Sequence, residues 1–169
     1  RRDSNHPSVS VGGLGNEEPA IQGTDKGRII LERMKAIQRK LDLTRFCTAA
    51  MKGSWGEGFT SAVDVQGTNY YNIGNLDEVH QKFPNLPCIL TEEASTVTTR
   101  GIYKTEASEG FHQAYDRDHL GWGATAQAWM RYADARQYIS GAFVWTGLDY
   151  GGESVAHYGP GVVADFGIF

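Results

Sequence analysis

Pro87-Cys88-Ile89-Leu90-Thr91 runs directly into Glu92-Glu93. Four residues of strand character follow the proline and lead into two acids. Just upstream, residues 76–83 read as a short helix that Pro84 stops, because proline cannot continue the hydrogen-bond ladder. A strand that follows a helix is the repeating unit of a parallel sheet with crossovers. The same alternation extends outward from this segment. Upstream, residues 9–14 are strand-like after the turn at Asn5-His6-Pro7. Residues 25–41 have helical period, with Ile29, Ile30, Met34, Ile37 and Leu41 on one stripe and Thr24 or Asp25 as cap. Residues 46–51 read as a buried strand, residues 53–58 as a glycine-rich loop holding Trp55, and residues 63–71 as a third strand. Downstream, residues 124–138 read as a helix with Ala128, Trp129, Tyr132 and Ala135 on one side, and residues 141–145 as a fifth strand.

The strands look apolar on both faces, as parallel strands covered by helices usually are. Polar residues gather just after the strands: Asn16-Glu17, the segment from Met51 to Trp55, Asn69-Tyr70, Glu92-Glu93, and the segment from Trp145 to Asp149. Parallel α/β folds build their sites at those carboxyl ends. The pattern predicts an α/β fold. A barrel and an open doubly wound sheet both satisfy it.

Composition excludes several functions. The 169 residues suit one domain, and 16 Lys and Arg against 20 Asp and Glu leave a net charge of −4, so no basic face for nucleic acid is expected. No apolar run approaches the ~20 residues of a membrane span. Cys47 and Cys88 are too few for a disulfide framework and lack metal-site spacing; both are expected buried and unpaired. His6, His80, His112, His119 and His157 show no ligand spacing and are read as structural or surface residues. The 21 glycines contain no dinucleotide or phosphate-loop pattern, and no Gly-x-Ser-x-Gly is present. The chain begins at Arg1 with no signal-like segment, and no compartment is read from it.

Glu17 and Glu92, each at a strand end, are the candidate catalytic pair. A retaining glycosidase needs two such carboxyls: one protonates the leaving oxygen and then activates water, and the other attacks the anomeric carbon. An arbitrary pair of glutamates in loops is more often a pair of surface acids. Strand alternation allows only one of Glu17 and Glu18, and one of Glu92 and Glu93, to face a common site. Asn16 is a candidate donor to a sugar hydroxyl, or else a turn residue after Gly15. Tyr70 is a candidate partner for a nucleophilic carboxylate, or an ordinary strand tyrosine. Trp145 and Trp55 could form a platform for a sugar ring, although aromatics in strands are more often core. Asp149 and Asp165 have no partner that the sequence names.

These residues carry a family likeness. Arg2-Asp3, Asn5-His6-Pro7-Ser8-Val9 and Leu14-Gly15-Asn16-Glu17 resemble glycoside hydrolase family 2, the family of β-galactosidases, β-glucuronidases and β-mannosidases. Asp64-Val65-Gln66-Gly67 with Asn69-Tyr70-Tyr71 resembles the family strand that bears a catalytic-site tyrosine. Pro87 through Thr91-Glu92-Glu93-Ala94-Ser95 resembles its nucleophile strand, and Phe143-Val144-Trp145-Thr146-Gly147-Leu148-Asp149-Tyr150 its last strand. The likeness covers nearly the whole chain and is nearest to bacterial β-galactosidases.

The resemblance implies a TIM barrel that follows β-sandwich domains. A (β/α)8 barrel takes about 250 residues. Residues 1–169 would then be a partial barrel, strands four to eight of the catalytic domain, without the first three strands and the sandwich domains. It implies Glu17 as acid/base, Glu92 as nucleophile with Glu93 a minor rival, and Asn16, Tyr70 and Trp145 as substrate-binding residues. The implied function is retaining hydrolysis of terminal β-galactosides, with Glu17 raised in pKa so that it starts protonated. β-Glucuronidase or β-mannosidase activity, or non-catalytic sugar binding, are the alternatives. The implied partners are a β-galactoside or related carbohydrate, and the missing barrel half or an oligomer partner; neither nucleic acid nor membrane is expected. No cofactor is expected. Some relatives hold a divalent metal near the residue matching Glu17, but no ligand set is assigned. Gly12-Gly13 stands where the family pattern has Trp-Ser, so Gly12 removes a large aromatic from the strand that presents Glu17, and losing a buried Trp costs about 3–5 kcal/mol where the site cannot collapse.

Overall fold

The computed structural model describes residues 6–151 and 165–168. Arg2, Asp3 and Asn5 of the first motif, and His157, lie outside the described residues. Five strands form one sheet: β1 (Val11–Asn16), β2 (Phe46–Met51), β3 (Val65–Asn69), β4 (Cys88–Ala94) and β5 (Ile139–Trp145). All neighbouring pairs are parallel and the spatial order is β1-β2-β3-β4-β5. Chain order equals spatial order, as in a (β/α) barrel; an open doubly wound sheet reverses its order at a switch point. The fold is α/β, a partial barrel.

Three helices link these strands: α1 (Asp25–Leu41), α2 (Leu76–Lys82) and α3 (Ala126–Asp134). Each start is capped by a side-chain oxygen that satisfies an otherwise orphaned N–H. Thr24 Oγ1 accepts from Gly27 N at 3.0 Å, Asn75 Oδ1 from Asp77 N at 3.1 Å, and Thr125 Oγ1 from Ala128 N at 3.3 Å.

The core has two main parts. Leu31, Ala49, Met51, Phe59, Ala62 and Val63 join α1 to β2 and the chain after it. Leu76, Cys88 and Leu90 join α2 to β4, with Tyr71, Tyr132 and Tyr138 against them. Burying each large apolar side chain contributes roughly 1.5–3 kcal/mol. Trp55 packs against both clusters, and its indole N–H donates to the Met51 carbonyl at 2.9 Å. This is a core role. Cys47 and Cys88 are buried and unpaired.

Several sequence expectations are corrected. The apolar stripe of α1 is not its buried face: Ile29, Met34, Ile37 and Leu41 are exposed, whereas Gly27 and Leu31 are buried. The backbone at Gly27 sits so close to the preceding loop that a Cβ there would lie 2.0 Å from the Ile21 carbonyl oxygen. That contact sets which face turns inward. β3 is not apolar on both faces: Gln66, Thr68 and Asn69 are fully buried. β4 continues past Thr91 because Asn69 pairs with Glu92, and Glu93 and Ala94 pair with Val144 and Trp145. The helix expected over residues 124–138 stops at Asp134. Beyond it, the Arg136 guanidinium binds both oxygens of Asp77 at 2.8–2.9 Å, and the Tyr138 carbonyl accepts from Cys88 N to begin the pairing of β5.

The space beside Gly12 is occupied. The Gln38 amide from α1 lies over it, so that a Cβ on Gly12 would meet Gln38 Nε2 at 2.9 Å. The inner strands bury most of their residues. The edge strands β1 and β5 contain no fully buried residue, and Phe143 on β5 is 63% exposed.

Candidate active site

Every candidate residue lies toward the carboxyl end of the sheet: Asn16 and Glu17 at β1, Tyr70 at β3, Glu92 on β4 and Trp145 on β5. β1 ends in Asn16 and passes into Glu17, whose amide donates to the Ala50 carbonyl of β2 at 2.9 Å. β3 ends in Asn69 and passes into Tyr70, whose amide donates to the Glu92 carbonyl at 2.8 Å. Glu17 and Tyr70 both adopt left-handed backbone angles, φ 49° and 62°. Non-glycine residues hold such angles only where their surroundings impose them, and they cluster at functional sites.

Asn69 joins the carboxylates. Its Nδ2 donates to Glu17 Oε1 at 3.0 Å, to Asn16 Oδ1 at 3.1 Å and to Glu92 Oε2 at 3.3 Å. The Thr91 hydroxyl donates to Asn69 Oδ1 at 2.7 Å, which fixes the amide's orientation. On the far side of Glu92 the Tyr70 hydroxyl donates to Oε1. Ser95 Oγ donates to that hydroxyl at 2.8 Å, and the Trp122 indole N–H donates to Ser95 at 3.2 Å. Glu92 thus sits at the end of a chain of donors.

A cation completes the group. Lys52, just past β2, has its Nζ 3.7 Å from Glu17 Oε2. The same ammonium lies over the Tyr70 and Trp122 rings, 5.2 and 4.9 Å from their centroids. Burial pushes the Glu92 carboxyl above its ordinary range and the nearby Glu17 adds to this, while the Tyr70 bond and Lys52 act against it. Burial and the bond to Glu92 push the Tyr70 phenol far above its usual value, so it remains a neutral donor. Among the described residues no group of three His, Cys, Asp or Glu side chains could hold a metal ion.

The structure therefore brings Asn16, Glu17, Tyr70 and Glu92 into one hydrogen-bonded cluster. Trp145 stands beside it at the end of β5. Its carbonyl accepts from Ser95 N at 3.3 Å, the residue is 38% exposed, and Tyr150 packs edge-on at 5.9 Å. No hydrogen bond links Trp145 to the carboxylates. Glu18 is exposed. Glu93 points away into the interior, fully buried. Sequence reasoning left Asn69, Lys52, Ser95 and Trp122 without roles. The strand-end position of Asn69 was the one available signal.

Comparison with known proteins agrees with this geometry. Residues 1–168 match the family described as glycosyl hydrolases family 2, TIM barrel domain. A β-galactosidase of Bacteroides ovatus, BoGH2A, is 28% identical across 99% of this chain, which spans 25% of that relative's length. Among solved structures, a β-glucuronidase of Ruminococcus gnavus superposes with a TM-score of 0.74 at 20% identity, over 99% of this chain and 30% of its own. A β-galacturonidase of Eisenbergiella tayi bound to galacturonate superposes with a TM-score of 0.69 at 22% identity, over 99% and 31%. With the family match covering nearly every residue and the parallel sheet in barrel order, the chain belongs to glycosyl hydrolases family 2.

Proposed function

We propose that this chain carries the catalytic carboxylates of a retaining β-glycosidase that acts on terminal β-galactosides. The observation that carries the reading is the shared Asn69 donor, at 3.0 Å from Glu17 and 3.3 Å from Glu92. Two oxygens bound to one nitrogen cannot be farther apart than those two bonds end to end. That closeness supports the ~5–5.5 Å carboxyl separation of retaining enzymes over the wider ~6.5–9.5 Å gap that makes room for water in inverting ones.

Glu92 is the nucleophile in this reading, because the Ser95–Tyr70 donor chain ends on it and suits a carboxylate that is ionised and later leaves. Its oxygen forms a bond to the anomeric carbon as the glycosidic C–O bond breaks, and Glu17 gives its proton to the departing oxygen. Glu17 then takes a proton from water, the water oxygen bonds to the anomeric carbon, and Glu92 is released as carboxylate. Asn69 holds both groups in register. Asn16 uses its oxygen toward Asn69, which leaves its N–H groups to donate to a sugar hydroxyl. Trp145 supplies an aromatic wall. Strands outside these 169 residues, from the same protein or a partner chain, close the barrel between the open edges of β5 and β1.

Lys52 favours a second reading of the substrate, a uronide, since an ammonium within the carboxylate cluster is suited to a sugar that carries its own negative charge. A panel of nitrophenyl β-galactoside, β-glucuronide and β-mannoside, assayed on the whole protein, separates these. Glu92→Ala and Glu17→Ala are expected to remove nearly all turnover. Azide is expected to restore Glu92→Ala with an α-glycosyl azide product and Glu17→Ala with a β product. Full turnover in both variants would sink the assignment. Sugar binding without hydrolysis by the unsubstituted protein would favour a non-catalytic module.

A further inference from the structure

Glu93 is fully buried, next to Glu92 in sequence and on the opposite side of β4. Its Oε1 accepts from the Tyr71 amide at 2.8 Å, and its Oε2 has no hydrogen-bond partner among the described residues. Such a group is costly to keep in an interior. The atom it does hold is informative. The Tyr71 N–H belongs to the peptide immediately after Tyr70, whose φ of 62° is a left-handed angle. Tyr70 is itself almost wholly buried and lays its hydroxyl on Glu92. The backbone of that turn is anchored on one side by Tyr70 N to the Glu92 carbonyl, and on the other by Tyr71 N to the Glu93 side chain.

We propose that Glu93 is a positioning residue: by accepting the Tyr71 amide, its buried carboxyl holds the left-handed turn at Tyr70 that lays the phenol on Glu92. The two adjacent glutamates then have divided roles on opposite faces of one strand. One faces the site, and the other holds the turn that presents the first one's partner. Burial, with the nearby Glu92 charge adding to it, raises the Glu93 carboxyl to about 8. At neutral pH it is therefore mostly the uncharged acid, and an amide can replace it as acceptor. The inference rests on the role given to Glu92 above for its catalytic consequence, but its geometric content stands apart from that role.

The test uses the whole protein with Glu93→Gln, Glu93→Asp, Tyr70→Phe and the Glu93→Asp/Tyr70→Phe double variant. Glu93→Gln keeps an oxygen at the same reach, and its kcat is expected to stay within about threefold of the parent. Glu93→Asp shortens the reach and is expected to lower kcat roughly ten- to hundredfold, the range for a lost hydrogen bond to a charged group, with KM little changed. The double variant is expected to be no worse than Tyr70→Phe alone, because both changes act through one contact. A loss in Glu93→Gln as large as in Glu93→Asp, or additive losses in the double variant, would overturn the proposal.

A second readout needs no catalysis. With labelled tyrosine, the NMR shift of the Tyr70 phenolic carbon is expected to be unchanged in Glu93→Gln. In Glu93→Asp it should move toward the value seen in Glu92→Gln. An unmoved shift in Glu93→Asp would overturn the inference even if the protein hydrolyses β-glycosides. A moved shift in a protein without hydrolysis would uphold it and reject the proposed function.

Discussion

Asn69 offers two amide hydrogens to three acceptors, Asn16, Glu17 and Glu92, so at any instant one of them is served poorly. The hydrogens follow whichever carboxylate carries more negative charge. Removing the amide with Asn69→Ala should lower kcat/KM roughly ten- to hundredfold, from the loss of charge-assisted bonds worth about 1.5–3 kcal/mol. Asn69→Asp should be worse, because it sets a third carboxylate between the two; steady-state kinetics on both variants checks this. Glu93 gives a pH prediction. Its carboxyl rises from an ordinary value of 4.5 to about 8 on folding, so the folded state binds more protons between those values. Stability from this group is full below about 4.5 and is lost as pH climbs toward 8. Glu93→Gln should flatten that part of a Tm-against-pH curve; an unchanged slope would show that Glu93 is not the group responsible. Glu17, Glu92 and Tyr70 stood out in the sequence because each follows a strand and falls in a quoted motif. Asn69 did not, because an asparagine ending a strand reads first as a turn former. Lys52 was hidden by its glycine-rich loop, where a charge normally means solvent.

Helix α1 was legible to the residue, from Asp25 to Leu41, because its cap and its period agree. Its orientation was not. Periodicity identified an apolar stripe, but the close approach of Gly27 to the Ile21 carbonyl turned a different face inward. That contact predicts that Gly27→Ala destabilises despite the better helix propensity of alanine. Overpacking of this kind costs about 1–3 kcal/mol, against a propensity gain of about 1 kcal/mol. Thr24→Ala should cost about 1 kcal/mol by freeing the Gly27 amide from its cap. Urea unfolding measures both, and a Gly27→Ala variant more stable than the parent would contradict the packing described. The ends of β4 and α3 were misjudged for a related reason. Strand pairing and the Arg136–Asp77 bond, both contacts distant in sequence, set where those elements stop.

The molecule as a whole has a closed centre and open sides. The buried strand residues lie on β2, β3 and β4, while β1 and β5 are the edge strands of the sheet, unpaired on their outer sides among the described residues. The barrel order was legible only through resemblance, because alternating helices and strands fit an open sheet equally well. Expressed as these 169 residues alone, the chain should self-associate through those edges, and sedimentation in an ultracentrifuge checks this; a clean monomer would mean that the edges are covered. The two rims also serve as a ruler. A probe at Gly13, where nothing lies within 4 Å of an added Cβ, and one at the exposed Phe143 would bracket the opening between β1 and β5. A broad spread of separations would report an unfinished wall and a single sharp one a sealed wall, so completion of the architecture could be followed without any substrate.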